Sequence, residues 1–232
     1  MMAWERSHTT QQVLRHLGYG NAGNGNVEYG NVNYGNEAVD DELLNEIAHA
    51  EEELINVCGD VVKFVAGTWA CEVNPDLGFI HFNEYRERSH NKECSHNRER
   101  SHNIESKSLA QHMQGATFIS FFAVTLGVQA DLLINRYGVS NMRRSVITDA
   151  VASVMVNNQC KKICAEIPPP TAFHKPTKRF SAGYGDFGLQ YQQNILTMLD
   201  ANKRIGLTLT QSNMLAPSKS VTALMGWVNE NA

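Results

Sequence analysis

The amino-acid sequence predicts an α+β fold, in which helices and strands follow one another in mixed order. Two observations carry this prediction. Long segments show the helical periodicity of apolar residues, whereas short segments rich in apolar and β-branched residues do not alternate regularly with the helices. With 232 residues, of which 42% are apolar, the chain is long enough for one substantial domain, with or without appendages.

The N-terminal part is predicted to be a short helix followed by a flexible linker. The helix covers residues 10–17. The linker is the Gly/Asn-rich segment 18–36, because Gly-Asn steps favour positive φ and interrupt helices and strands alike. A glycine-rich phosphate loop is the alternative, but no strand precedes the segment and no Lys-Ser or Lys-Thr follows it. We therefore divide the chain into residues 1–39 and a main domain at 40–232.

The main domain is predicted to begin with a helix at residues 40–57. Asp40 or the next residue can cap it, acidic residues occupy its first turn, and apolar side chains recur at helical spacing. Two strands, at residues 61–73 and 78–84, are predicted on either side of a turn at 75–78.

The rest of the main domain is predicted to contain one long helical region among shorter elements. That region covers about residues 128–167, has a break near Gly138 and stops at the prolines at 168–170, which no helix can enter. The shorter elements are a helix at 106–113, a strand at 116–127, a helix at 189–199 and strands at 204–210 and 220–228.

Composition and charge argue against several classes of protein. The formal net charge is −4, from 20 Lys and Arg against 24 Asp and Glu, whereas a general nucleic-acid binder is usually strongly basic. No uninterrupted run of 18 apolar residues is present, and the start of the chain lacks the pattern of a secretory signal. The five cysteines are an odd number without the spacing of a disulfide framework, which favours reduced thiols in the cytoplasm.

The segment RERSHNKECSHNRERSHN, residues 86–103, is one hexad written three times and has the composition of a metal site. It places His90, His96 and His102 six residues apart, with Cys94 among them. In a helix, a step of six residues turns the side chain by roughly 120° and advances it about 9 Å. In a strand, consecutive histidines lie about 20 Å apart, whereas a Zn–N bond measures about 2 Å. We therefore predict a solvated, repeat-expanded surface insertion, with metal binding as the alternative that deletion of the segment would test.

Cys160 and Cys164 are four residues apart, so that a helix would place both on one face. They are either a ligand pair or two small buried thiols, and we favour the second interpretation. The histidines outside the hexads form no spacing motif.

The segment RFSAGYGDFG, residues 179–188, carries the groups best suited to bind a small ligand. Arg179 presents a planar guanidinium that can hold a carboxylate by two hydrogen bonds. The small residues after it let a ligand approach the backbone, and Tyr184 can stack on a base. Such groups could hold an amino-acid–nucleoside conjugate, although an ordinary glycine-rich loop has the same composition.

Residues 179–226, which run from RFSAGYGDFG through TLT and LAPSKSVTA to the last strand, resemble the activation (reactivation) domain of cobalamin-dependent methionine synthase. Arg179, Gly183 and Tyr184 match the family's Arg-x-x-x-Gly-Tyr motif. Residues 106–153 also resemble the short, free-standing branch of this family, and the first long helix fits its N-terminal part.

The resemblance implies a C-shaped single domain, in which helices wrap a twisted antiparallel sheet. It also implies that S-adenosylmethionine is bound, with Arg179 pairing with the methionine carboxylate and the backbone of residues 180–182 meeting the adenosine. The implied binding residues are Arg179, Phe180, Ser181, Ala182, Gly183 and Tyr184.

In this family, the methyl group of S-adenosylmethionine and an electron from a flavodoxin-type donor convert inactive cob(II)alamin to methylcobalamin on another module. The resemblance therefore implies that this chain acts in trans, as a component of a methyltransferase, on a cobalamin-binding methionine synthase or a corrinoid protein. The leaving thioether is neutral, so that no catalytic acid or base is expected and the rate comes from proximity. No metal, nucleic acid or membrane partner is expected.

Three positions depart from the family's pattern. The aromatic pair near the ligand falls on Met225 and Gly226, and an acid expected after Asp149 is replaced by Ser153 or a neighbour. An acidic position that contacts the ligand near the start of the domain has no counterpart. The alternative function is a non-catalytic docking partner of a corrinoid protein that does not bind S-adenosylmethionine.

Overall fold

The computed structural model describes residues 6–19, 40–59, 63–82 and 103–229. Most of the predicted linker at 18–36 and all of the hexad segment at 86–103 except Asn103 lie outside these residues, and so do all three hexad histidines and Cys94. The predictions for those segments, and the predicted boundary between residues 39 and 40, stay predictions.

The described residues form an α+β fold, as predicted. The helices are α1 (Arg6–His16), α2 (Asp41–Cys58), α3 (Lys107–His112), α4 (Val128–Ser140), α5 (Met142–Glu166), α6 (Gln192–Leu199) and α7 (Ala201–Ile205), with a 3-10 turn at Leu189–Tyr191. The strands are β1 (Lys63–Asn74), β2 (Phe79–Phe82), β3 (Ile104–Glu105), β4 (Ala116–Thr125), β5 (His174–Pro176), β6 (Thr208–Leu209), β7 (Leu215–Ala216) and β8 (Ser220–Asn229).

Six of the strands form one open sheet in the order β3-β2-β1-β4-β8-β5, and β6 and β7 form a separate pair. Strands β1 and β2 are antiparallel, with Cys71 opposite Phe82. Strands β5 and β8 are also antiparallel, with His174 opposite Asn229. Both edge strands of the sheet are short, which limits the backbone that they offer for pairing with another chain.

The chain divides into two compact units. Unit 1 takes its described residues from Met1–Lys63, Val124–Lys161 and Ala216–Val221. Unit 2 takes them from Phe64–Ala123, Lys162–Leu215 and Thr222–Ala232.

Unit 1 contains the predicted amphipathic helix α2. The Asp40 carboxylate accepts a hydrogen bond from the Leu43 N–H at 2.7 Å, which confirms the predicted cap. The face of α2 that carries Leu43, Ile47 and Leu54 is buried. Since burying one such side chain contributes about 1.5–3 kcal/mol, this face accounts for much of the helix's stability.

Unit 2 contains most of the sheet and an aromatic core. The Trp69 and Phe121 rings meet edge to face, with their centroids 5.4 Å apart. The indole N–H of Trp227 donates to the Ser120 hydroxyl at 2.7 Å, and this hydroxyl also shares a hydrogen bond of 2.6 Å with Thr68. The hydrogen bonds satisfy polar groups that would otherwise destabilise the buried sheet.

The break that was predicted near Gly138 lies at Asn141, whose side chain accepts from the Arg144 N–H at 3.1 Å and so caps α5. One predicted element needs correction. Arg204 and Ile205, which were predicted to begin a strand, end helix α7 instead. Gly206 follows them with φ of 70°, the left-handed conformation that commonly ends a helix.

Candidate ligand-binding site

The glycine-rich loop at residues 179–188 lies in unit 2 and is held along strand β8. Phe180 and Leu224 exchange two backbone hydrogen bonds of 2.8 Å each. Just before the loop, the Thr177 N–H donates to the Gly226 carbonyl at 2.8 Å. The start of the loop therefore has the fixed backbone of a strand.

Beyond Phe180 the loop folds into a tight turn. The Gly183 N–H donates to the Phe187 carbonyl at 2.6 Å, and the Phe187 N–H donates to the Tyr184 carbonyl at 3.0 Å. Gly183 and Gly185 have φ of 98° and 56°, which residues with a Cβ adopt rarely. The buried Phe187 side chain anchors this turn in the core of unit 2.

The six predicted binding residues divide between the core and the surface. The side chains of Phe180 and Ala182 pack against the core, so that a ligand would meet this part of the loop chiefly through its backbone. Tyr184 is 44% exposed, and its ring meets the Phe180 ring edge to face at 5.6 Å. The loop therefore presents one aromatic ring on a fixed backbone.

Arg179 supplies the positive charge at the start of the loop. It is half-buried, and its charge acts on the thiol of Cys164 at the end of α5. Burial raises the pKa of Cys164, and the Arg179 guanidinium opposes part of that rise. A cation at this point can attract a ligand carboxylate.

Asp186 is used within the protein, in a way that the sequence did not indicate. Its carboxylate accepts hydrogen bonds from the Ser106 hydroxyl (2.6 Å) and from the N–H groups of Lys107 (2.8 Å) and Ser108 (3.0 Å). These hydrogen bonds, with that of Ser106 first, hold the pKa of Asp186 well below its usual range, although desolvation opposes them. The partners lie 78 to 80 residues away in the chain, so that no local motif reveals them.

Met225 and Gly226, where the family has an aromatic pair, lie in a closely packed part of β8. Met225 is 1% exposed. A Cβ atom at Gly226 would lie 2.8 Å from the Met113 sulfur and 2.9 Å from the Ala116 Cβ. An aromatic side chain at residue 226 therefore has no room unless these neighbours move.

Ser153, which stands near a position where the family has an acid, binds a lysine in unit 1. The Lys219 ammonium donates to the Ser153 hydroxyl at 3.0 Å and pairs with the Asp149 carboxylate at 2.7 Å. The Lys219 side chain is only 13% exposed, so that the Asp149 carboxylate and the Ser153 hydroxyl together stabilise a nearly buried positive charge.

The described residues contain no group of three or more His, Cys, Asp and Glu that could hold a metal ion. His112 and His174 instead have neighbours within the fold: His112 Nε2 lies 2.7 Å from the Lys178 carbonyl, and His174 lies between two threonine hydroxyls. Cys160 is buried and Cys164 is half-buried, whereas the favoured prediction was that both thiols are buried. None of the helices in the described ranges is both long and apolar enough to cross a membrane.

Comparison with known proteins identifies the fold. No family model and no curated protein matches the sequence. Among solved structures, the fold is similar to that of a reactivation domain, a class that the sequence resemblance had predicted. One matching structure is the crystal structure of the MetH reactivation domain bound to AdoHcy, with a TM-score of 0.54 and 17% identity. The match covers 82% of this chain but 66% of the MetH chain, slightly less than two thirds.

Proposed function

We propose that this chain binds S-adenosylmethionine and supports the reductive methylation of cob(II)alamin on a separate cobalamin-dependent methionine synthase or corrinoid protein. The observation that carries the proposal is the loop at residues 179–188. On the fold of a domain crystallised with AdoHcy, it combines a cation, a close backbone approach and an exposed aromatic ring.

The residues of the loop suit the three parts of this ligand. Arg179 would pair with the methionine carboxylate. The backbone of residues 180–182 would meet the adenosine, since the Phe180 and Ala182 side chains pack into the core. Gly183 has no Cβ to obstruct the ligand, and Tyr184 would bound the pocket.

The ligand would supply a methyl group on a positively charged sulfur. Transfer of CH₃⁺ to cob(II)alamin on the partner, with one electron from a flavodoxin-type donor, would give methylcobalamin and neutral S-adenosylhomocysteine. Because the leaving thioether is neutral, the chain needs no proton donor or acceptor for this step. Its residues would contribute by holding and orienting the methyl donor.

Isothermal titration calorimetry with AdoHcy, and in parallel with S-adenosylmethionine, tests the proposal on the full chain. We expect 1:1 binding, and we expect Arg179→Ala to weaken it by tenfold or more, about 1.4 kcal/mol, because a charge-assisted hydrogen bond is lost. Arg136→Ala is the matched control, since Arg136 is an exposed arginine on α4 in unit 1. Absence of heat with both ligands, in the presence and absence of a corrinoid protein, would refute S-adenosylmethionine binding.

One observation favours the alternative of a docking partner without a ligand. The packing around Gly226 excludes the aromatic ring that the family places beside the ligand. If the chain binds a corrinoid protein in a pull-down experiment, and Arg179→Ala changes neither that binding nor methionine-dependent growth, the docking function is supported instead.

A further inference from the structure

Helix α3 contacts the candidate ligand-binding loop at its N-terminal end. Three donors, the Ser106 hydroxyl and the N–H groups of Lys107 and Ser108, converge on the Asp186 carboxylate at 2.6 to 3.0 Å. The first N–H groups of a helix have no partner within the helix, so that Asp186 satisfies two of them from a distant part of the chain.

The helix does not need Asp186 for its own local cap. The Ser106 hydroxyl already accepts from the Leu109 N–H at 3.1 Å, and Leu109 and Ala110 are fully buried. The helix is thus already capped and packed without Asp186. The hydrogen bonds to Asp186 therefore serve to connect the helix to the loop.

Two further contacts hold the loop against the same region. The His112 ring, at the other end of α3, lies 4.9 Å from the Phe180 ring. The Tyr191 hydroxyl, just after the loop, donates to the Glu105 carbonyl at 3.0 Å. Asp186 lies between these contacts along the chain.

The backbone next to Asp186 has no room to shift toward the helix. A Cβ on Gly185 would lie 2.4 Å from the Ser108 hydroxyl oxygen and 2.7 Å from the Ser108 Cβ. The turn that carries Tyr184 is thus pressed against α3 on one side and fixed to the core through Phe187 on the other.

We infer that Asp186 is a positioning residue: its carboxylate holds the turn at residues 183–187 against α3 and so keeps Gly183 and Tyr184 in the conformation that receives the ligand. The ligand-binding part of this inference rests on the proposed function. A loop that is ordered before binding loses less conformational entropy when the ligand arrives, which strengthens binding without any direct contact.

Hydrogen exchange followed by NMR tests the positioning without a ligand. In Asp186→Ala we expect the Gly183 and Phe187 amides to exchange at least tenfold faster than in the wild type, because both amides are bonded within the turn. Asp40→Ala is the matched control. It removes the carboxylate cap of α2 in unit 1 and should leave the exchange of these two amides unchanged. Unchanged exchange in Asp186→Ala would overturn the inference, as would equal acceleration in both variants.

Chemical rescue separates positioning from a general loss of stability. Formate is a small carboxylate that can occupy the space left by Asp186→Ala, and we expect it to slow the exchange of the Gly183 amide again. Chloride at the same ionic strength should have no such effect. Rescue by chloride as well as by formate would contradict a role for the carboxylate. If Asp186→Ala does not fold, Asp186→Asn is used in the exchange measurement, since the amide keeps the shape but loses the charge.

Calorimetry with AdoHcy completes the test. We expect Asp186→Ala to weaken binding about tenfold, formate to restore it, and Asp40→Ala to leave it unchanged. If the wild type binds neither AdoHcy nor S-adenosylmethionine but the exchange result holds, the proposed function fails and the positioning stands. If the wild type binds and Asp186→Ala binds equally well, the effect of Asp186 on the ligand is refuted.

Discussion

The turn at residues 216–220 in unit 1 and the turn at residues 183–187 in unit 2 are both held by an aspartate. In unit 1 the aspartate lies on a neighbouring helix, whereas in unit 2 it lies on the turn. In unit 1, Asp131 on helix α4 accepts from the N–H and the hydroxyl of Ser218, both at 2.7 Å. In unit 2, Asp186 lies on the turn itself and accepts from groups at the start of α3.

The difference lies in what each turn leaves for a ligand. In unit 1 all three polar side chains of the turn have partners: Ser218 with Asp131, Lys219 with Asp149 and Ser153, and Ser220 with Thr125. In unit 2 the Asp186 carboxylate is bonded to groups of the protein itself, while Tyr184 is 44% exposed. We therefore expect changes in the unit 1 turn to affect stability alone, and changes in the unit 2 turn to affect stability and ligand binding together.

The largest effect is expected for Gly185→Ala in the unit 2 turn. The new side chain meets Ser108 at less than 3 Å and needs φ of 56°, so that overpacking of about 1–3 kcal/mol adds to a conformational cost of about 1–2 kcal/mol. Urea denaturation should show the lower stability, and calorimetry should show weaker AdoHcy binding.

Gly206→Ala is the matched control for that variant. Gly206 also has positive φ, 70°, but a Cβ there meets no atom within 4 Å, so that it incurs the conformational cost alone. Equal losses of stability in the two variants would mean that Ser108 moves aside and that the contact with α3 is loose.

A smaller effect is expected for Asp131→Ala in the unit 1 turn. The variant loses two hydrogen bonds to a carboxylate, and we expect the free energy of unfolding to fall by about 1–2 kcal/mol. AdoHcy binding should not change. Asp76→Ala, which removes an exposed acid, serves as the control and should change neither quantity. Loss of AdoHcy binding in Asp131→Ala would remove the distinction between the two turns.

Two aspartates, Asp40 and Asp186, show how far the sequence could predict the structure. Helix α2 and its cap were predictable because Asp40 and the N–H that it binds lie three residues apart. The resemblance to reactivation domains predicted the fold through residues near Arg179 and Tyr184. The role of Asp186 was not predictable, because its partners are brought to it only by the tertiary fold. The α7 error had a local signal that was missed, since Gly206 is a typical helix end.

The pH dependence of stability distinguishes the hydrogen bonds to Asp186 from simple packing. Because the pKa of Asp186 is lower in the folded than in the unfolded protein, its contribution is complete above the unfolded value, about 3.9. That contribution is lost as the pH falls through the folded value. The difference in urea midpoint between wild type and Asp186→Asn should therefore be constant from pH 8 to 5 and should narrow below about pH 4. A difference that widens in acid would show that the carboxylate is not held as described.

The smallest effect is expected at Cys164, which reports on the charge of Arg179. The Arg179 guanidinium opposes the rise in the pKa of Cys164 that burial causes, so that Arg179→Ala should raise this pKa further and slow alkylation by iodoacetamide. Bound AdoHcy should also slow the alkylation of Cys164 in the wild type, if the AdoHcy carboxylate neutralises Arg179.

Peptide mapping by mass spectrometry measures the rate of alkylation. Cys58 is the internal control, because burial and Asp131 raise the pKa of Cys58 to about 11 without any contribution from Arg179. Slowing by AdoHcy in the wild type but not in Arg179→Ala would identify Arg179 as the partner of the carboxylate. Equal slowing in both proteins would place the carboxylate elsewhere.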